Sequence, residues 1–271
     1  MKLCWGESDS SVNDQSRVLA ATKQKLRTLL QACLVGGRRI SVWPPVGWVR
    51  FGSLRRTTPI SRLFGLDRGA RERCIDIFFI ERFLRLNQGD IRGHVLEIGD
   101  DHYTRKFGCT VVERSDVLHV RSGAEHATII ADLSRDDHIP AGSFDCIICT
   151  QTLQFVYDMR VALKTLHRIL RPGGVLLATF TGISQISRYD MDRWGDYWRV
   201  TTLSARRLFE EFWPADCVQV QTHGNVLLAV AYLHGLTIDE VSANDRERRD
   251  QDYELVVTVR AVKPGGTGGG G

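Results

Sequence analysis

Between residues 94 and 180 the chain alternates short apolar runs with stretches of helical spacing, and this pattern limits its fold most. Apolar runs fall at His94–Gly99, Thr110–Val112, Ala127–Ala131, Phe144–Thr150 and Gly174–Phe180, with two more at Val218–Thr222 and Tyr253–Val262. Most of the early runs are nearly continuous rather than alternating, as expected of strands covered on both faces. Between the fourth and fifth lies an amphipathic helix with Met159, Leu163, Leu166, Ile169 and Leu170 as its apolar positions, stopped by Arg171-Pro-Gly-Gly174. A second helix is expected over Leu203–Phe212, with Thr201 and Thr202 as cap candidates. Strands alternating with helices predict a doubly wound α/β fold, a mostly parallel sheet with helices on both faces.

Composition supports a globular chain and excludes several classes. Of 271 residues, 43% are hydrophobic and 25% charged, enough for a full core. No apolar run has transmembrane length, and the first eleven residues do not read as a secretory signal. Seven cysteines are an odd number, which argues against a disulfide framework and for a cytoplasmic setting. Cys146 and Cys149 form a CxxC, but inside a strand positions three apart face opposite sides, so buried structural thiols are expected rather than a metal or redox pair.

The net charge is only +4, yet its distribution is uneven. From Gln15 to Cys74 thirteen Lys and Arg stand against Asp67 and Glu72. Residues 16–35 carry a helical pattern ended by Gly36-Gly37. The expected organisation is a basic, partly helical N-terminal extension over 1–74, one domain over 75–263 and a flexible glycine-rich tail over 264–271. The basic segment reads as a solvated surface or a source of cations for an anionic acceptor. Membrane docking is disfavoured because its helix shows only Arg17, Lys23, Lys25 and Arg27 on the polar face. Nucleic acid is not expected, since no platform of aromatics interleaved with basic residues is evident.

In a doubly wound sheet ligands bind beyond the carboxyl ends of the strands. The segments after the first three runs carry five acids, Asp100, Asp101, Glu113, Asp116 and Asp132. A dinucleotide would set its pyrophosphate at the first turn, where Asp100 and Asp101 repel it. A phosphate-free donor with a cationic amino group and ribose hydroxyls suits such a rim, and S-adenosylmethionine has these features.

Val95-Leu-Glu-Ile-Gly99 resembles the first motif of class I methyltransferases dependent on S-adenosylmethionine. Ala131-Asp-Leu133, Ile139-Pro-Ala-Gly-Ser-Phe-Asp-Cys-Ile-Ile148 and Leu166-His-Arg-Ile-Leu-Arg-Pro-Gly-Gly-Val-Leu-Leu177 resemble the later motifs of the type 11 group, in order and spacing. Pro59-Ile-Ser-Arg-Leu-Phe-Gly-Leu-Asp-Arg-Gly69 resembles a segment that precedes the domain in bacterial members, which are often associated with glycan or secondary-metabolite pathways. The resemblance implies a Rossmann-like seven-stranded sheet with an antiparallel last strand. It also implies methyl transfer to a small-molecule or glycan-type acceptor, and an oxygen on that acceptor is the expected target. The family's motif continues with two further glycines, and here Asp101 and Tyr103 hold those positions. Their side chains must point away from the cofactor; otherwise the alternative is a non-catalytic Rossmann-like module with weakened cofactor binding.

Carried onto this sequence, the resemblance sets Glu97, Gly99 and Asp100 at the methionine moiety and Asp132 with Leu133 at the adenine. Thr150 and Gln151 would stand near the sulfonium. Asp116 is the choice for the ribose hydroxyls, with Glu113 competing. His102 is the candidate general base, while His167 reads as a packing residue. Arg188, Tyr189, Trp194, Tyr197 and Trp198, in the aromatic segment after the fifth run, are candidates for the acceptor wall. No metal site is expected.

Overall fold

The computed structural model describes residues 47–48, 50, 52, 54, 56–108, 110–135 and 138–265. The helix expected over 16–35, most of the basic extension and the glycine tail from residue 266 lie outside the described residues.

Seven strands form one sheet: β1 (Gly93–Ile98), β2 (Val112–His119), β3 (Ile129–Ile130), β4 (Phe144–Thr150), β5 (Leu170–Thr181), β6 (Val218–His223) and β7 (Val256–Val262). Their order is β3-β2-β1-β4-β5-β7-β6. β7 runs antiparallel to both neighbours, and every other pairing is parallel. The fold is therefore the Rossmann-like doubly wound sheet with an antiparallel last strand.

Among the described residues seven helices accompany it: α1 (Ile75–Leu86), α2 (His102–Phe107), α3 (Met159–Ile169), α4 (Arg188–Met191), α5 (Thr202–Glu210), α6 (Val226–Leu233) and α7 (Ala243–Glu247). The core splits across the sheet. Leu96, Leu118, Ile147 and Leu176 pack beneath α3 and α5, while Val95, Cys146, Ile148 and Leu177 pack beneath α1, α2 and α6. Cys146 and Cys149 belong to opposite layers, both fully buried, as the period of a strand requires. Burial raises the Cys149 thiol to about 12, so it stays protonated and unreactive.

Of the apolar positions expected in α3, Met159, Leu163, Leu166 and Ile169 are buried in the helix, whereas Leu170 already opens β5. Thr201 and Ser204 close a reciprocal capping box at the start of α5. The Arg171-Pro-Gly-Gly174 stop lies within a register shift of β5, where Phe144 pairs with Leu170 but Cys146 with Val175. A Cβ on Gly174 would sit 2.9 Å from the Arg171 carbonyl, so the return from α3 needs a glycine there.

One strand differs in a way that matters for the site. β2 was expected over Thr110–Val112 and instead runs over Val112–His119. The polar triplet Glu113-Arg-Ser115 hid its first half, because these residues are exposed and offer no apolar signal.

The segment preceding α1 packs onto the domain. The Ile60 and Ser61 amides donate to the His234 carbonyl at 3.1 and 3.0 Å. The Arg68 guanidinium pairs with Glu240, with both side chains almost wholly buried. Glu240 also accepts from the Thr237 amide and hydroxyl, so its carboxylate is fully employed.

Candidate functional site

The carboxyl ends of β1, β2, β3, β4 and β5 share one edge, and the sequence-predicted residues can be placed along it. At β1, Glu97 is buried and does not face an open cleft. Its carboxylate accepts from the Tyr103 amide at 3.0 Å and from the Thr104 amide and hydroxyl, each at 2.7 Å. It thereby satisfies orphan donors of the first turn of α2. Burial lifts its carboxyl to about 7, against the pull of the bonds from Thr104 and Tyr103.

Gly99 follows with φ +99°, and no atom lies within 4 Å of where a Cβ would stand. A glycine is needed for that dihedral, and the space before it is open. Asp100 accepts from the His102 amide at 3.0 Å. Asp101 pairs with Arg105 at 2.8 Å. Tyr103 turns inward, buried and stacked on Phe107 at 6.2 Å between centroids, so the ring replacing a motif glycine does point away from the edge. His102 opens α2, half-buried, with its ring edge-on to Tyr103 at 5.1 Å.

The second strand end departs from expectation. Asp116 pairs in register with Leu96, in mid-strand and about 10 Å short of the end of β2. Its Oδ2 lies 2.6 Å from His94 Nε2 and 3.0 Å from Arg114. Burial alone would raise this carboxyl, but bonds from His94, Thr128 and Arg114 carry it below the ordinary value. Glu113, the competing choice, is exposed near the opposite end of the strand. The end of β2 instead presents His119 and Arg121. His119 Nδ1 accepts the Arg121 amide at 3.0 Å, and the Arg121 guanidinium stacks on Trp194 at 4.2 Å. His119 also meets Trp194 edge-on at 5.6 Å. The resumed apolar run from Val117 was the sequence signal that could have found this corner.

At β3, Asp132 stands one residue beyond Ala131, half-exposed, accepting from the Ser134 amide and hydroxyl at 2.9 and 2.7 Å. Leu133 beside it is buried. The expected ring of five acids is thus reduced: Asp132 stays at the edge, Asp100 and Asp101 are tied locally, and Glu113 and Asp116 are elsewhere.

At β4, Thr150 is half-buried and Gln151 adopts φ +47°, a left-handed conformation uncommon outside glycine. Gln151 Oε1 accepts from Gln154 Nε2 at 2.7 Å and from the Thr181 hydroxyl at 2.5 Å. Gln151 Nε2 is buried without a hydrogen-bond partner. Strain and an unsatisfied donor at a strand end are features of sites rather than of packing. Gln154 and Thr181, missed in the sequence, complete this polar triangle.

The aromatic segment after β5 divides in two. Arg188 and Tyr189 lie on α4, with Arg193 stacked over Tyr189 at 3.6 Å. Trp194 turns to the β2 corner. Tyr197 and Trp198 turn the other way, toward Tyr157 just before α3, at 5.3 and 6.0 Å. The Tyr197 and Trp198 amides donate to the Gln154 carbonyl, at 3.1 and 3.3 Å. His167 is remote from the edge and packs against Trp213 at 4.8 Å, as expected. Among the described residues no three His, Cys, Asp or Glu are grouped to hold a metal, and no helix is long and apolar enough to cross a membrane.

Strand order, the antiparallel β7 and the shared edge at the carboxyl ends of β1 to β5 are those of a Rossmann-like doubly wound domain. Residues 103–178 match the family described as a methyltransferase domain. Over 106 residues the chain is 32% identical to the ubiquinone/menaquinone biosynthesis C-methyltransferase UbiE of Haemophilus ducreyi, covering 37% of this chain. The chain matches about a third (35%) of that relative's length. Among solved structures it is similar to the N-methyltransferase NodS from Bradyrhizobium japonicum in complex with S-adenosylhomocysteine (17% identity, 72% of this chain and 90% of that one, TM-score 0.45). It is also similar to a SAM-dependent methyltransferase from Archaeoglobus fulgidus (9% identity, 69% and 94%, TM-score 0.46).

Proposed function

We propose that this domain transfers a methyl group from S-adenosylmethionine to an oxygen of a small-molecule or glycan-type acceptor. The observation that carries the reading is the open ground before Gly99, at the edge that also presents Asp132 and the unsatisfied Gln151 amide. These residues fit the cofactor at its methionine and adenine ends. Bound there, S-adenosylmethionine would supply a methyl carbon already activated by its sulfonium.

Gly99 would leave room for the methionine chain and Asp100 would accept from its ammonium. Asp132 would accept from the adenine amino group, with Leu133 as an apolar neighbour. Thr150 and Gln151 would stand at the sulfonium end. The ribose role passes from Asp116 to His119, which stands at the end of β2 with its Nδ1 bonded to the Arg121 amide. The main work of the site is alignment and exclusion of water.

A second reading, a module that binds the cofactor weakly and does not turn over, is favoured by the absence of a carboxylate at the end of β2. Calorimetry with S-adenosylhomocysteine separates the two. Saturable binding, lost in a Gly99→Val variant of unchanged fold, supports the transferase. No heat at millimolar ligand supports the module.

A further inference from the structure

A cavity of about 560 Å³ opens beside Tyr157 and Trp198, between the start of α3 and α5. Its volume lies in the usual range for small-molecule sites. Met159, Val161 and Leu208 supply apolar wall, and the Tyr157 and Trp198 rings stand 6.0 Å apart with planes tilted by 31°. The wall is joined to the β4 end by one residue. The Trp198 amide donates to the Gln154 carbonyl, and the Gln154 side chain donates to Gln151.

The charge on the rim has a sign. Arg160, Arg199 and Arg207 line the cavity against Asp158 alone. Arg160 is held by Glu211 at 2.9 Å and Arg199 by Asp196 at 2.5 Å, neither acid being part of the lining. Arg207 is exposed and bridges no carboxylate among the described residues. A guanidinium over aromatic and aliphatic walls matches a flat apolar body that ends in an acid.

We propose that this cavity binds the methyl acceptor and selects an aromatic anion, a fused or single ring carrying a carboxylate that Arg207 receives. The assignment rests on the transferase reading for what happens to the ring, but not for its binding. A cation would face the exposed Arg207, and a neutral ring would leave it unused.

The probe is 2-naphthoate, with 2-naphthol as its uncharged counterpart, each titrated calorimetrically into the full chain beside S-adenosylhomocysteine. Naphthoate should bind at least tenfold more tightly than naphthol. Arg207→Glu should abolish that preference without altering naphthol binding or the circular dichroism spectrum, and Arg207→Lys should restore part of it. Trp198→Ala should weaken both probes. Equal affinity for the two probes, no saturable binding of naphthoate, or unchanged naphthoate affinity in Arg207→Glu would overturn the proposal. Failure of S-adenosylhomocysteine to bind would count against the cofactor reading alone, since the probes need no cofactor.

Discussion

Asp116 Oδ2 lies 2.6 Å from His94 Nε2, and His94 Nδ1 lies 3.0 Å from the Ser143 carbonyl oxygen, so the acid chosen from the sequence to hold a ribose is a cross-strand fastener. The pairing links β2 and β1 side chain to side chain and ties them to the backbone just before β4. Asp116→Asn should therefore cost stability rather than affinity. A loss of about 1–3 kcal/mol is expected at pH 7, read from chemical denaturation, the range for a buried polar group deprived of a charged partner. The folded carboxyl lies below its unfolded value, so this stabilisation is present above the unfolded pKa near 4 and is lost as pH falls through the folded one. The difference between wild type and variant should shrink below about pH 4. Unchanged S-adenosylhomocysteine affinity in the variant would agree with the mid-strand position, and a tenfold loss would contradict it.

Glu97 behaves in the opposite sense. Its folded carboxyl is raised to about 7, mainly by burial. Its contribution to stability is present in full below the unfolded value, about 4.3, and is lost as pH rises through about 7. Wild-type stability should therefore decline across that window, and Glu97→Gln should flatten the decline. Melting temperatures measured in steps of half a pH unit give the comparison. Parallel curves for the two proteins would show that Glu97 is already ionised at pH 5.

The Arg68–Glu240 pair makes a third prediction. With both side chains almost wholly buried, removing one partner strands the other charge. Arg68→Ala should destabilise the domain by about 3–5 kcal/mol. It should also free the segment Pro59–Gly69, so that trypsin cuts at Arg62 before it cuts within the sheet. A variant that melts with the wild type and resists the protease would show that the His234 carbonyl contacts suffice.

Much of the fold was legible because its strands are covered on both faces and read as unbroken apolar runs, with β4 recovered at both ends. The edge was less legible. The course of β2 was concealed because residues 113–115 are solvent-facing and polar, which moved two acids by several residues and left His119 and Arg121 unnoticed. At Tyr103 the sequence required a ring turned away from the cofactor or a different seat for the methionine end, and the ring is buried against Phe107. The division of the aromatic segment could not be read at all. Trp194 and Trp198 are four residues apart, and only tertiary contacts send one to the β2 corner and the other to Tyr157.

The contact of Trp194 with Arg121 and His119 joins two stretches of chain by little more than stacking and one bond, from the Arg121 side chain to the Arg193 carbonyl at 3.2 Å. Such a clasp is worth about 1 kcal/mol at an exposed site, so thermal energy releases it many times during a single encounter. With the other five tryptophans of the chain replaced by phenylalanine, Trp194 becomes a built-in optical reporter, its emission shifting when that corner opens or takes a visitor, without a dye being attached.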